Sequence, residues 1–68
     1  MRVVLNGEPR EAPEGATVAD LVAAAGIEPD RSGIAVAVNG EVVPRSAWAT
    51  TPVAEGSRVE ILQAVAGG

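Results

Sequence analysis

Two Asn-Gly dipeptides, Asn6-Gly7 and Asn39-Gly40, constrain this chain more than any other feature. Each sits between short apolar runs. A two-residue type I′ hairpin needs φ > 0 at both central residues, and Asn-Gly meets that demand at little steric cost. The first pair joins a strand over 1–5 to a return strand over 8–12. Met1, Val3 and Leu5 then face one side, and Arg2 and Val4 the other. Pro9 has no ladder donor, which places the return strand at a sheet edge. Pro13-Glu14-Gly15 closes this hairpin. The second pair joins Ile34 to Asn39, with Ile34, Val36 and Val38 opposed to Ala35 and Ala37, to a short strand, Glu41-Val42-Val43, that Pro44 ends.

Between the hairpins lies one helix. Thr17 suits the N-cap, and Asp20 stands where a carboxylate meets the free N–H groups and the positive end of the dipole. Val18, Leu21, Val22 and Ala25 recur at i, i+3, i+4 and i+7, an apolar stripe. Gly26 falls at the position after the C-cap, and Pro29 stops continuation. Pro29 to Gly33 reads as a loop.

After Pro44, Arg45 to Trp48 reads as one helical turn or a tight loop, and Thr50-Thr51-Pro52 as irregular. Glu55-Gly56 turns into a last strand, Ser57 to Leu62. Val59 and Ile61 point one way there, and Arg58, Glu60 and Leu62 the other. The order is ββαββ and a final β. Short turns make sequential strands antiparallel, and the first and last strands can lie side by side, parallel, in the middle. This predicts an α+β fold of the β-grasp type, a mixed sheet of about five strands with one helix across one face. The expected core is Val3, Leu5, Val18, Leu21, Val22, Val36, Val38, Val59 and Ile61. Residues 1–62 form the domain, and residues 63–68 a flexible C-terminal tail.

Composition narrows function by exclusion. The 68 residues allow one small domain, which buries only about 60% of its unfolded surface. Cysteine and histidine are both absent. That argues against disulfides, thiol redox work, a zinc site and a nucleophilic triad, so no catalytic residue and no metal ligand is expected. Trp48 is the only aromatic residue and the net charge is −4, so stacking platforms and a basic groove for nucleic acid are missing. An acidic protein can instead be steered to a basic groove on a protein partner. No apolar run is long enough to cross a bilayer, and no signal peptide opens the chain. The expectation is a cytoplasmic protein that engages neither nucleic acid nor membrane.

The chain ends Gln63-Ala64-Val65-Ala66-Gly67-Gly68. Side chains shrink to nothing toward the terminal carboxylate. Glycine lets another backbone approach closely, so such a stalk can thread into a narrow pocket where its carboxyl group reacts. Its bland counterpart is an ordinary frayed end.

With those residues placed, the chain resembles the ThiS-type sulfur carriers of thiamine biosynthesis, small ubiquitin-like β-grasp proteins. The resemblance runs the whole length. It is carried by Leu5-Asn6-Gly7-Glu8, by Ala16-Thr17-Val18-Ala19-Asp20-Leu21, and above all by Val36-Ala37-Val38-Asn39-Gly40-Glu41-Val42-Val43-Pro44-Arg45-Ser46. The segment around Trp48, the run Gly56 to Ile61 and the terminal Gly67-Gly68 also fit. Ala66 departs from the pattern, since relatives often carry a further glycine there. The resemblance implies that the Gly68 carboxylate is adenylated by an E1-like adenylyltransferase using ATP and magnesium. A sulfur donor, such as a persulfide on a cysteine desulfurase, then displaces AMP to leave a thiocarboxylate. A thiazole synthase takes the sulfur into the thiazole ring. The chain is then a carrier and co-substrate, not an enzyme, and binds no cofactor of its own. Val65, Ala66 and Gly67 thread into the partner.

Ordering such a tail opposes binding by about 1–2 kcal/mol per residue, so affinity has to come from the folded domain. The expected docking surface is the sheet face away from the helix, with Val4, Ala35, Ala37 and Leu62. Arg58 and Glu60 share that face as solvated charges. Trp48 is read as an anchor for the loop before the last strand, with partner contact as the alternative. Other readings stay open: a sulfur carrier for molybdopterin, cysteine or a sulfur-containing natural product, delivering to another sulfur-incorporating synthase; a ubiquitin-like modifier joined to lysines; or an interaction domain with an inert tail.

Overall fold

A computed structural model describes residues 1–28 and 30–64. Its elements are β1 (Arg2–Leu5), β2 (Glu8–Glu11), α1 (Val18–Ala24), β3 (Ile34–Val38), β4 (Glu41–Val43), a 3-10 helix (Arg45–Thr50) and β5 (Arg58–Gln63). One sheet holds the five strands in the order β2-β1-β5-β3-β4. β1 and β5 are parallel, and every other neighbouring pair is antiparallel. This is the β-grasp arrangement, with the last strand in the centre and β2, which carries Pro9, at an edge.

Local chemistry accounts for the elements. Both turns take the left-handed backbone that a type I′ hairpin requires, with φ of 49° and 82° at Asn6-Gly7 and 50° and 86° at Asn39-Gly40. The turn sets the register Val38↔Glu41, Ala37↔Val42 and Val36↔Val43. At the start of α1 the Thr17 hydroxyl accepts the Asp20 N–H at 3.3 Å, and the Asp20 carboxylate accepts the Thr17 N–H at 2.9 Å. That reciprocal pair is a capping box. The far end closes as a Schellman motif: Gly26 N–H donates to Ala23 O at 3.0 Å, and Ile27 N–H to Val22 O at 3.3 Å.

The core lies between the helix and one sheet face. Val3, Leu5, Val36, Val59 and Ile61 from the strands meet Val18, Leu21 and Val22 from α1. Each fully buried aliphatic side chain contributes roughly 1.5–3 kcal/mol relative to exposure. The structure corrects the expected core and the expected helical stripe in three ways. Val38 is only partly buried. Ala25 is exposed, because α1 ends at Ala24 and Ala25 is its C-cap. Ala12, Ala16, Ile27, Trp48 and Val53 join the core. Ile27 enters because the Schellman motif returns it to the helix. Ala16 and Val53 enter because residues 16–18 pair with residues 51–53: Val53 N–H donates to Ala16 O and Val18 N–H to Thr51 O, each at 2.9 Å. The stretch expected to be irregular thus bridges to the start of the helix.

Trp48 is buried, and its indole Nε1–H donates to Val43 O at 3.0 Å. The Arg45 guanidinium sits 4.5 Å from the ring centroid, a cation–π contact worth about 0.5–1 kcal/mol near a surface. The ring therefore anchors the segment between β4 and β5. Among the described residues, no helix is long and apolar enough to cross a membrane.

Candidate functional site

The site is built where β5 delivers the chain end. β5 runs through Gln63, one residue past Leu62, with Gln63 opposite Ile34 of β3. Ala64 adds one more bond, its N–H donating to Gly33 O at 2.7 Å. On its other side β5 outruns β1, whose pairing with it reaches Leu5↔Val59. There the Asn6 side chain takes over, accepting the Ile61 N–H at 2.8 Å and donating to Ile61 O at 3.3 Å. Backbone groups at the end of the strand are thus held from both flanks. Val65, Ala66, Gly67 and Gly68 lie outside the described residues.

The outer sheet face can be read from the registers. Leu62 stands opposite Ala35. Ala37 stands between Glu60 of β5 and Val42 of β4. Leu62 is 65% exposed and Val42 76%. Leu62, Ala35, Ala37 and Val42 therefore occupy neighbouring rows on the face away from the helix, the Leu62–Ala35 row near the Gln63 end of β5 and the Ala37–Val42 row opposite Glu60 at its middle. Val4 is on the same face but opposite Arg58 and Pro9. Four residues of strand separate Arg58 from Leu62, about 13 Å. Glu60 lies between them, so Val4 stands apart from the other three. Val42 was not singled out from the sequence, although its position was legible: a two-residue turn at Asn39-Gly40 places it beside Ala37. Gly33 and Ala64 were also missed, because nothing local to either shows that they meet.

Together these features define a ubiquitin-like β-grasp domain whose central strand ends at Gln63, beside a small apolar patch. Comparison with known proteins narrows the class. The ThiS family model matches residues 3–68, so the chain belongs to the ThiS family. It is 31% identical to the sulfur carrier protein ThiS of Escherichia coli K12 over 68 residues, covering 100% of both chains. It is 37% identical over 68 residues to a thiazole synthase of Paramagnetospirillum magneticum, spanning 100% of this chain and 20% of that protein. The crystal structure of the thiamine biosynthesis protein ThiS from Geobacter metallireducens superposes with a TM-score of 0.81 at 33% identity, with 100% of each chain covered.

Proposed function

We propose that this protein is a sulfur carrier of thiamine biosynthesis whose reactive group is the Gly68 carboxylate. The observation that carries this reading is the family match, which runs through Gly67 and Gly68 at the end of the chain. The fold agrees with it, since the central strand β5 leads directly to those residues.

A carboxylate is a poor electrophile. In the proposed sequence one of its oxygens attacks the α-phosphorus of ATP on an E1-like adenylyltransferase, and pyrophosphate leaves. Magnesium and ATP belong to that partner. The resulting acyl adenylate has a good leaving group. The terminal sulfur of a persulfide, as on a cysteine desulfurase, displaces AMP, a step suited to sulfur because a thiolate-type nucleophile outcompetes water near neutral pH. A thiol then attacks the cysteine sulfur of the acyl persulfide, forming a disulfide with it as the S–S bond breaks and the thiocarboxylate leaves. The chain contains neither Cys nor His, in keeping with a co-substrate whose chemistry is supplied by partners.

The acceptor is proposed to be a thiazole synthase. Two proteins of that name, from Paramagnetospirillum magneticum and Magnetococcus marinus, match the whole of this chain within 20% of their own length. A carrier-like segment joined covalently to the acceptor enzyme is the arrangement expected of direct transfer between them. Docking is assigned to the outer-face patch of Leu62, Ala35 and Ala37, with Val42 beside it and Val4 apart from it on the same face. Val65, Ala66 and Gly67 enter the partner's pocket.

Incubation with E1-like enzymes, ATP and a persulfide source, read by intact mass, tests the proposal. The expected product has one oxygen replaced by sulfur. A chain that forms isopeptide-linked adducts instead is a protein modifier, and a chain whose mass never changes has an inert tail.

A further inference from the structure

The loop before β3 meets the base of the tail in a way the carrier chemistry does not by itself require. Gly33 has a φ of +77°, a conformation rare for residues with a side chain, and a Cβ placed on it would lie 3.4 Å from the Ala64 Cβ and 3.5 Å from the Ala64 carbonyl oxygen. Ala64 thus fills the space beside Gly33, while its N–H donates to Gly33 O at 2.7 Å. The loop is itself tied down. Arg31 N–H donates to Glu28 O at 3.1 Å, and the Arg45 guanidinium donates to Arg31 O. Arg45 in turn lies over the ring of Trp48, which is buried in the core. A continuous physical connection therefore runs from Trp48 through Arg45 and the 31–33 loop to Ala64.

We propose that this connection is a latch that fixes where the tail leaves the sheet, with Gly33 and Arg45 as positioning residues for the reaction of the C-terminus. The proposal rests on the carrier reading. A backbone residue that is already ordered in the free protein need not be ordered by the partner. Releasing Ala64 adds one residue to that burden, equivalent to a loss of affinity of about 5- to 30-fold. The latch also sets reach. Beyond Ala64 the sequence has residues 65–68, and each extended residue spans at most about 3.6 Å. A departure point that wanders by one or two residues therefore changes where the carboxylate can go by a large fraction of the tail's length.

Ala64→Pro tests this directly. It removes the donated N–H, and the residue before a proline must be extended, which Gln63 already is as part of β5. Adenylation of the full chain is measured by pyrophosphate release with an E1-like enzyme over a range of carrier concentrations. The expected result is a KM raised at unchanged kcat, by at most about 5- to 30-fold because proline keeps its own φ fixed, with an unchanged circular dichroism spectrum. Amide exchange of the parent and of Arg45→Met gives the second measurement, with the Ala64 amide losing protection in the variant while the Val36 and Ile61 amides keep theirs. Parental KM for Ala64→Pro, a fall confined to kcat, or unaltered Ala64 exchange in Arg45→Met overturns the latch and leaves the carrier reading standing. A parent chain that is never adenylated removes the carrier reading and the latch's role together.

Discussion

The carboxamide of Asn6 pairs with both backbone polar groups of Ile61, its Oδ1 accepting the N–H at 2.8 Å and its Nδ2 donating to the carbonyl at 3.3 Å. A side chain thereby substitutes for the next residue of β1 at the point where β1 turns away into its hairpin. Asn39 does half of this at the other end of the strand, where its Oδ1 accepts the Arg58 N–H at 2.8 Å and its backbone N–H donates to Arg58 O at 2.7 Å. The two asparagines that make the hairpin turns also grip the central strand between them. Turn chemistry and sheet assembly are thus carried by the same residues.

Asn6→Gly separates those two roles, because glycine retains the left-handed φ but has no carboxamide. Both Asn6→Gly and Asn39→Gly raise the entropy of the unfolded chain by a similar amount. Asn6→Gly loses two side-chain hydrogen bonds and Asn39→Gly loses one, and each such bond has a net worth of about 0.5–1.5 kcal/mol. Urea denaturation is expected to show Asn6→Gly less stable than Asn39→Gly by about 1 kcal/mol. Equal losses would mean that the two bonds to Ile61 are worth no more than the single bond from Asn39 to Arg58.

Leu21 faces the sheet from the middle of α1 and is 5% exposed. Leu21→Ala is expected to lower stability by about 2–5 kcal/mol, a large part of what so small a domain has. Chemical denaturation checks it, and a loss below half a kcal/mol, roughly the scale of a surface substitution, would put Leu21 outside the core.

What could be read from the sequence divides along a physical line. Features set by a few neighbouring residues were legible: both type I′ turns, the Thr17–Asp20 capping box, the stop at Gly26 and the alternation of Val59 and Ile61 against Leu62. From these the strand order followed. Features set by contacts between distant segments were not. Ile27 sits beyond the helix terminator and is buried by the Schellman geometry, and Val53 is buried because its segment bridges to Ala16. Ala25 fits the helical stripe arithmetically, but the helix ends before reaching it. On the outer face, alternation correctly separated Leu62 from the core, yet could not show that Val4 stands opposite Arg58, with Glu60 between that row and Leu62. Nor could it show that the pairing of β5 continues to Ala64 through Gly33.

Leu62 carries the proposed docking patch. It is 65% exposed on the outer face opposite Ala35, so a charge there removes no core contact. Leu62→Glu is expected to shift stability by no more than about 0.5 kcal/mol while weakening binding to the adenylating enzyme, measured by titration calorimetry with the thermal midpoint as control. A variant that unfolds, or one that binds as the parent does, removes Leu62 from the patch.

The tail gives the most direct test of the carrier reading. Among the described residues every buried apolar residue lies between Val3 and Ile61, and changes at Gly67 and Gly68 are expected to leave their packing in place. Deleting Gly68 draws the carboxylate back by about 3.5 Å, short of a site built for the full length. Gly67→Val keeps the length but adds a β-branched side chain where the proposed partner pocket admits only backbone. Either change is expected to abolish adenylation and thiocarboxylate formation with the circular dichroism spectrum unchanged. One residue added after Gly68 is expected to block activation until it is removed, because the proposed reacting group is the terminal carboxylate of glycine. The measurements are ATP-dependent pyrophosphate release and intact mass. Should the Gly68 deletion be activated and sulfurated as well as the parent, the full tail length is not required and the reacting group is not specifically the carboxylate of Gly68.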